Sequence, residues 1–109
     1  MNKYRNKKII IDEHEFDSMA EGRRYQELKL LERAGEIESL QLQPKFLLQE
    51  AFKKNGKTYR KIEYIADFDY IENGKVVVED VKGVETKEFR LKLRLFEYKY
   101  KDLELRIIK

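Results

Sequence analysis

Two Asn-Gly dipeptides, at 55–56 and 73–74, constrain the fold of this 109-residue chain more than any other feature. Each is flanked by residues suited to β-strands, and Asn-Gly is the strongest short signal for a two-residue hairpin turn. The sequence therefore predicts an antiparallel meander with strands over residues 45–53, 58–71 and 75–82.

One helix is predicted before this meander and one after it. The first begins at Ser18, which forms an S-x-x-E capping box with Glu21, and ends at Gly35. The second covers residues 86–101. Both carry apolar residues at helical spacing that should face the core. These are Tyr25, Leu28, Leu31 and Ala34 in the first helix, and Phe89, Leu93, Phe96 and Tyr100 in the second, where Leu91, Leu95 and Tyr98 widen the stripe.

The final segment, LELRIIK, alternates in part and is predicted to be a strand. Because it follows a helix, it can return to lie parallel in the same sheet. The order α-β-β-β-α-β predicts an α/β fold with a mixed central sheet flanked by two helices. We expect a single domain over residues 1–109, in which residues 1–8 form a basic, mobile arm or simply a solvated terminus.

Composition excludes several classes of site. The chain has no cysteine, and its one histidine, His14, rules out a histidine pair and is predicted to lie on the surface. The amino terminus has too few consecutive apolar residues for a signal peptide, and no apolar run approaches transmembrane length, so we expect a cytoplasmic protein. A net charge of +3 and a pI near 9.0 favour a polyanionic partner, although many basic proteins bind no nucleic acid.

The register of the second hairpin brings two acids together. Counting back from a two-residue turn at 73–74 sets Asp67 opposite Asp80 and Ile65 opposite Lys82. Side chains alternate along a strand, so Asp80 and Lys82 lie on one face together with Asp67. Opposed Cβ atoms are only about 4.5–5.5 Å apart, and two carboxylates at that distance repel each other unless a divalent cation lies between them.

This arrangement favours phosphate chemistry. Mg²⁺ binds one or two carboxylates together with waters and phosphate oxygens, and Lys82 would position or deprotonate a water, or stabilise charge on the phosphoryl oxygens. The alternative is that each acid forms an ordinary ion pair on an exposed sheet face, where such pairs contribute little. Glu79 points to the opposite face and is predicted to be structural.

Five stretches carry a resemblance to a known family: FDSMAEGRRYQELKLLERAGEI, LQPKF, YIADFDY, VVVEDVKG and LFEYKY. They are similar to DUF1064, a family of phage and prophage proteins, and the resemblance covers nearly the whole chain. Through this family the chain resembles the P-D…(D/E)-x-K nuclease superfamily, which includes restriction enzymes and Holliday junction resolvases. The resemblance implies a restriction-endonuclease-like core.

The resemblance also implies roles for particular residues. The implied catalytic residues are Glu21, Asp67, Asp80 and Lys82, and the implied metal ligands are Glu21, Asp67, Asp80 and the backbone carbonyl of Val81. Two positions depart from the superfamily pattern, because Ala66 replaces the proline of the P-D element and Asp80 stands where glutamate is more usual. Glu21 has a competing role, since the third residue of a capping box can simply hold the start of its helix.

The implied activity is that of a Mg²⁺-dependent DNA endonuclease, with Mn²⁺ as a substitute metal. Its expected substrate is branched DNA in phage recombination or processing, and its expected state is a homodimer away from membranes. The predicted nucleic-acid-binding residues are Lys7, Lys8, Lys54, Lys57, Lys87 and Arg90, for which the alternative is a solvated basic surface. Two other functions stay open: a nuclease-like module that binds nucleic acid without cutting it, and an interaction protein whose charges are solvated.

Overall fold

The computed structural model describes residues 7–109, which form two helices and ten short strands. In chain order the elements are β1 (Ile9–Ile11), β2 (His14–Phe16), α1 (Met19–Arg33), β3 (Glu38–Leu42), β4 (Lys45–Gln49), β5 (Phe52–Lys54), β6 (Lys57–Tyr59), β7 (Ile62–Ile65), β8 (Phe68–Glu72), β9 (Lys75–Val81), α2 (Lys87–Lys99) and β10 (Glu104–Ile108). The α/β class, with a mixed sheet and two helices, is confirmed.

The central sheet has four strands in the order β10-β9-β8-β3. Strand β8 pairs antiparallel with both β3 and β9, and β10 runs parallel to β9, as predicted for the final segment. With the helices, the elements of this sheet follow the order α1, β3, β8, β9, α2, β10. The first strand is therefore residues 38–42, and the prediction that residues 45–53 would fill this place was wrong.

The predicted long strands are broken into pieces. Residues 45–53 divide into β4 and β5, and residues 58–71 divide into β6, β7 and β8. Strand β4 pairs with β7 in a separate ladder with a register shift, and Ile65 pairs with Lys45 rather than with Lys82. Strands β5 and β6 form a hairpin of their own around the predicted Asn-Gly turn. We call residues 51–61 the finger.

Two elements carried no usable sequence signal. The β1–β2 hairpin turns at Asp12 and Glu13, which adopt the positive φ that asparagine and glycine favour in such turns. Strand β3 contains a register shift and a positive φ at Ser39, so its side chains do not alternate cleanly. Lys7 and Lys8, from the predicted arm, are exposed ahead of β1, and residues 1–6 lie outside the described residues.

Helix α1 begins and ends as its sequence predicts. The Glu21 N–H donates to Ser18 Oγ at 3.1 Å, and at the other end Gly35 takes a φ of +79°. The Glu36 N–H donates to the Leu31 carbonyl at 2.9 Å, which completes a Schellman motif. Tyr25 and Leu28 are buried as expected, whereas Ala34 is exposed because the helix stops before it.

Helix α2 buries a narrower stripe than predicted. Thr86 Oγ1 accepts from the Phe89 N–H at 3.1 Å and caps the helix, which covers residues 87–99 rather than 86–101. Phe89 and Phe96 are buried, and the Tyr100 hydroxyl donates to the Leu47 carbonyl at 2.8 Å, so Tyr100 belongs to the core. The residues expected to widen the stripe are exposed; they are Leu91, Leu95 and Tyr98.

The two helices pack on opposite faces of the central sheet. Val77 is buried in one apolar cluster with Tyr25 and Leu28 of α1, and its neighbour Val78 is buried in another with Phe89 and Phe96 of α2. Successive strand residues point to opposite faces, so β9 contributes to both clusters. In the described part of the chain, neither helix is long and apolar enough to cross a membrane.

Candidate active site

The candidate site lies where the β7–β8 junction meets the end of β9. The predicted register of the hairpin holds from Glu72–Lys75 to Phe68–Glu79. Asp67 then leaves the ladder. Its N–H donates to the Glu79 carbonyl at 3.1 Å, although Glu79 is already the partner of Phe68, so two residues of one strand lie opposite one residue of the other. The predicted regular Asp67–Asp80 pair is therefore replaced by a bulge-like bend.

The bend still brings the two acids into one site. Asp67 Oδ2 accepts a hydrogen bond from the Val81 N–H at 2.7 Å, next to Asp80. Asp80 is 1% exposed and accepts a hydrogen bond from the Tyr64 hydroxyl. Both carboxylates are thus held in fixed orientations by neighbours that donate hydrogen bonds.

Lys82 joins the acids as its spacing predicts. Its Nζ lies 3.4 Å from Asp80 Oδ1 and 4.7 Å from the centroid of the Phe89 ring. The backbone N–H of Lys82 donates to the Ile108 carbonyl at 2.9 Å, which fixes it to the parallel strand β10. The ammonium group therefore stands at the site on a supported segment while remaining partly open to solvent.

Glu21 reaches the same site from α1. Its Oε2 accepts from the Asp17 N–H at 3.3 Å, so the predicted capping role is present, with Asp17 as the partner instead of Ser18. Burial raises the pKa of the Glu21 carboxyl, which the Asp80 charge raises further and the Lys82 charge lowers. Glu21 therefore caps the helix and faces the acids as well, and the two predicted roles are compatible.

The acids are electrostatically frustrated. Burial raises the pKa of Asp67 to about 8, and the charges of Asp80 and Glu21 add to the rise, while the Val81 hydrogen bond opposes it. Burial, together with the hydrogen bond to Asp80, also raises the pKa of the Tyr64 hydroxyl, which keeps it a proton donor. A positive charge in this site would favour the ionised form of Asp67.

Two clefts open onto the site. One, of about 170 Å³, is lined by Glu21 and Asp67 together with His14 and Gln43. The other, of about 280 Å³, is lined by residues that include Asp80, Lys82, Thr86, Phe89 and Lys92. His14 is an exposed residue at the rim, in agreement with its prediction as a surface residue.

The predicted basic residues divide into three groups. Lys87 and Arg90 are exposed in the first turn of α2, beside the second cleft, and Arg90 Nη2 donates to the Glu85 carbonyl at 3.0 Å. Lys54 and Lys57 lie on the finger, and Lys7 and Lys8 precede β1. None of these six lines either cleft.

Sequence reasoning missed two residues of the site, Tyr64 and Phe89. The two aromatic residues carried only the signal of core residues, because burial alone explains an aromatic side chain at a strand or helix position. Lys92 belongs to the basic face of α2, and only the approach of that helix to β9 distinguishes it from Arg90. In residues 7–109 no group of three or more Asp, Glu or His side chains is close enough to bind a metal ion as a set.

Glu79 has the structural role predicted for it. Its side chain is fully buried on the α1 face and accepts from Arg24 Nε at 2.8 Å and Nη2 at 2.6 Å, and from the Tyr70 hydroxyl. The carboxylate beside Arg24 raises the pKa of that guanidinium. This bidentate pair connects α1 to β9 directly behind Asp80.

Comparison with known proteins gives one match. The family model described as "Protein of unknown function (DUF1064)" matches residues 1–109. No curated protein is significantly similar to the chain.

Proposed function

Because this chain belongs to the DUF1064 family, whose description names no activity, we propose a function from the site itself: metal-dependent hydrolysis of phosphodiester bonds in DNA. The finer assignment, a restriction-endonuclease-like core within the P-D…(D/E)-x-K superfamily, belongs to the same proposal. The order α1, β3, β8, β9, α2, β10 supports it, as does the position of the acids at one end of β8 and β9.

The observation that carries the proposal is the shared site of Asp67, Asp80 and Lys82. A protein gains no stability by bringing two acids together out of water, and burial and the neighbouring charges raise the pKa of Asp67 to about 8. Strongly perturbed carboxyls in a cleft are characteristic of functional sites. The closeness of the acids is therefore best explained by a ligand of opposite charge.

The donor set suits Mg²⁺, which prefers hard oxygen ligands and keeps part of its water shell. Asp67 and Asp80 would hold the ion, with the Val81 carbonyl as the proposed main-chain ligand and Glu21 facing it from α1. Each hydrogen-bonded carboxylate oxygen still has a free lone pair, since a carboxylate offers about four acceptor sites. When bound, the ion would lower the pKa of a coordinated water and offset phosphoryl charge.

The protein's own groups position and hold the reacting atoms. Tyr64 and the Val81 N–H fix the two carboxylates, so little rearrangement is needed when the substrate arrives. Lys82, anchored by Asp80 and supported by Phe89, would donate to a phosphoryl oxygen or hold the attacking water. Lys92 faces the same cleft and would contact a phosphate of the substrate backbone.

Lys87 and Arg90 would extend phosphate contacts from the first turn of α2, where the helix dipole also favours anions. Branched DNA is the substrate we propose, because residues 7–109 are used for the two helices and the strands and leave no separate segment there for reading base sequence. A homodimer is the matching assembly, since two related sites can cut two strands symmetrically.

A cleavage assay tests this function. The protein is incubated with four-way junction, flap and linear duplex DNA in Mg²⁺, Mn²⁺ or EDTA, beside the variants Asp80→Asn and Lys82→Met. We expect metal-dependent cutting that Asp80→Asn abolishes and that Lys82→Met reduces by at least about 100-fold. Asp69→Asn, the same change on the same hairpin outside both clefts, is the matched control and should cut like the parent protein.

Absence of cutting by folded protein with either metal, while DNA binding is retained, would contradict the proposal. The protein would then be a binding module that has the nuclease-like site without its activity. Cutting that persists unchanged in Asp80→Asn would indicate a contaminating nuclease.

A further inference from the structure

The finger, residues 51–61, extends away from both apolar clusters. Every residue in it is exposed, although it contains the two-stranded β5–β6 hairpin. The Cα radius of gyration of the protein is 16.0 Å, whereas a compact domain of this length would have about 13 Å. Such a projecting hairpin adds little to the core. Its side chains therefore contribute little to folding stability, and a role in binding would account for them.

Two aromatic rings stand open on the finger. Phe52 and Tyr59 are a directly opposed cross-strand pair with ring centroids 4.7 Å apart and an interplanar angle of 10°. Their exposed fractions are 43% and 39%. A stacked pair stabilises a hairpin, but it also presents a flat aromatic surface to solvent.

The finger also concentrates positive charge. It contains five basic residues and no acid, whereas the rest of the chain has 19 basic residues against all 21 acidic ones. Its basic residues are Lys53, Lys54, Lys57, Arg60 and Lys61. Because the rest of the chain has more acidic than basic residues, the net positive charge of the protein comes from the finger.

Charge and aromatic surface share one face. Side chains alternate along a strand, so Lys54 and Lys57 lie on the same face as Phe52 and Tyr59. The Lys57 Nζ lies 5.2 Å from the centroid of the Tyr59 ring. Lys54 and Lys57 pair across the turn, where their like charges repel each other, and an anion between them would relieve this repulsion.

We propose that the finger is a binding site for single-stranded nucleic acid. Unpaired bases stack on Phe52 and Tyr59 while Lys54 and Lys57 contact the phosphates that join those bases. Sites that combine stacking aromatic residues with a basic surface bind single strands with little sequence preference. Paired bases inside a duplex have both faces covered by their neighbours, so the finger discriminates in favour of unpaired segments.

This inference deepens the proposed function, and its role in substrate choice rests on that function. It assigns the recognition of unpaired bases, such as those at a branch, to the finger, and leaves the cutting to the acids. The binding itself needs neither metal nor cleavage. The two proposals therefore fail separately.

The test is fluorescence anisotropy in EDTA with labelled oligo(dT), oligo(U) and duplex DNA of about 16 nucleotides or base pairs. The variant F52I/Y59V replaces both rings by β-branched residues that keep the hairpin strand-like. We expect it to bind single strands at least about tenfold more weakly, with a change of less than about twofold for duplex. F52Y keeps the aromatic surface and should bind like the parent protein.

A second variant separates stacking from charge. K54Q/K57Q should weaken binding to single strands and to duplex alike and reduce the dependence of affinity on salt concentration. Thermal unfolding of each variant checks that the domain is folded. Binding to oligo(dT), oligo(U) or both, lost in F52I/Y59V, supports the inference. Failure to bind either oligonucleotide, equal losses on single strands and duplex in F52I/Y59V, or an unchanged affinity in that variant would overturn it.

Discussion

Asp67 lies in a bend between two strands, and this position accounts for its electrostatics. A residue in a regular ladder would have held its carboxylate directly across from Asp80. The bend instead turns it into a half-buried place near Asp80 and Glu21, where its carboxylate accepts a hydrogen bond from the Val81 N–H. The Asp67 carboxylate is thus positioned to bind a cation. Without a cation, it is repelled by the charges of Asp80 and Glu21.

Asp67→Asn should stabilise the metal-free protein at neutral pH. The pKa of the folded protein's Asp67 is raised from 3.8 to about 8, so its favourable effect is complete below about pH 4 and is lost as the pH rises through 8. Asparagine does not ionise, so the Asp67→Asn variant does not lose stability in this way as the pH rises. We expect its free energy of unfolding in EDTA to exceed that of the parent by about 2 kcal/mol at pH 8, and the difference to vanish near pH 4.

Urea unfolding at several pH values measures this difference. Asp102→Asn, which changes an exposed aspartate in the turn before β10, is the control and should show no such trend. Parallel pH curves for Asp67→Asn and the parent would contradict the assigned pKa.

At the scale of elements, the buried pair of Arg24 and Glu79 joins α1 to the central sheet. Arg24 is partly exposed, whereas Glu79 is fully buried and is held by both the guanidinium and the Tyr70 hydroxyl. Burying a charge costs free energy that its partners only offset. The pair is therefore valuable chiefly for fixing the position of α1, which carries Glu21, relative to β9, which carries Asp80.

Arg24→Ala should destabilise the protein by about 3–5 kcal/mol, because it leaves the Glu79 carboxylate buried without its cation. Lys29→Ala removes an ion pair between Lys29 and Glu32 on the surface of the same helix and should cost less than about 1 kcal/mol. Chemical denaturation of both variants gives the comparison. Equal effects would mean that the carboxylate finds another partner or a proton.

At the scale of the whole molecule, one end of the sheet gathers groups from α1, β7, β9 and α2. The metal-free site holds unrelieved repulsion, so binding of a divalent cation should stabilise the folded state. We expect 10 mM Mg²⁺ to raise the free energy of unfolding by about 1 kcal/mol, which corresponds to about 5 °C in melting temperature for a domain of this size.

Asp80→Asn should lose this response to Mg²⁺, while Asp69→Asn should keep it. Differential scanning calorimetry at constant ionic strength separates specific binding from screening. A rise of equal size in both variants would show that the cation acts on general surface charge instead of at the site.

The distance between the finger and the site limits how far from the bound unpaired bases a substrate can be cut. Tyr59 and Asp67 are eight residues apart, so their Cα atoms lie no more than about 28 Å from each other. Nucleotides along a strand of DNA are about 3.4 Å apart. For a substrate that touches both places, the cut should fall within about eight nucleotides of the unpaired bases, which denaturing gels of end-labelled flap DNA would map. Cuts spread uniformly along duplex arms would contradict this arrangement.

Features that depend on neighbouring residues were correctly predicted from the sequence. The cap at Ser18, both Asn-Gly turns and the β8–β9 register up to Phe68 follow from residues a few positions apart, whose backbone preferences act locally. The shared face of Asp80 and Lys82 follows from the alternation of side chains along a strand, whereas Asp67 reaches them through the bend.

The tertiary structure alone decided features that depend on distant residues. The use of β3 as the fourth strand, the bend at Asp67 and the exposure of Leu91, Leu95 and Tyr98 depend on which surfaces meet. The Tyr64 hydroxyl on Asp80 spans 16 residues of sequence, and Arg24 on Glu79 spans 55. A local sequence pattern does not predict such partners, because burial and hydrogen bonding between distant segments are determined only when the whole chain packs.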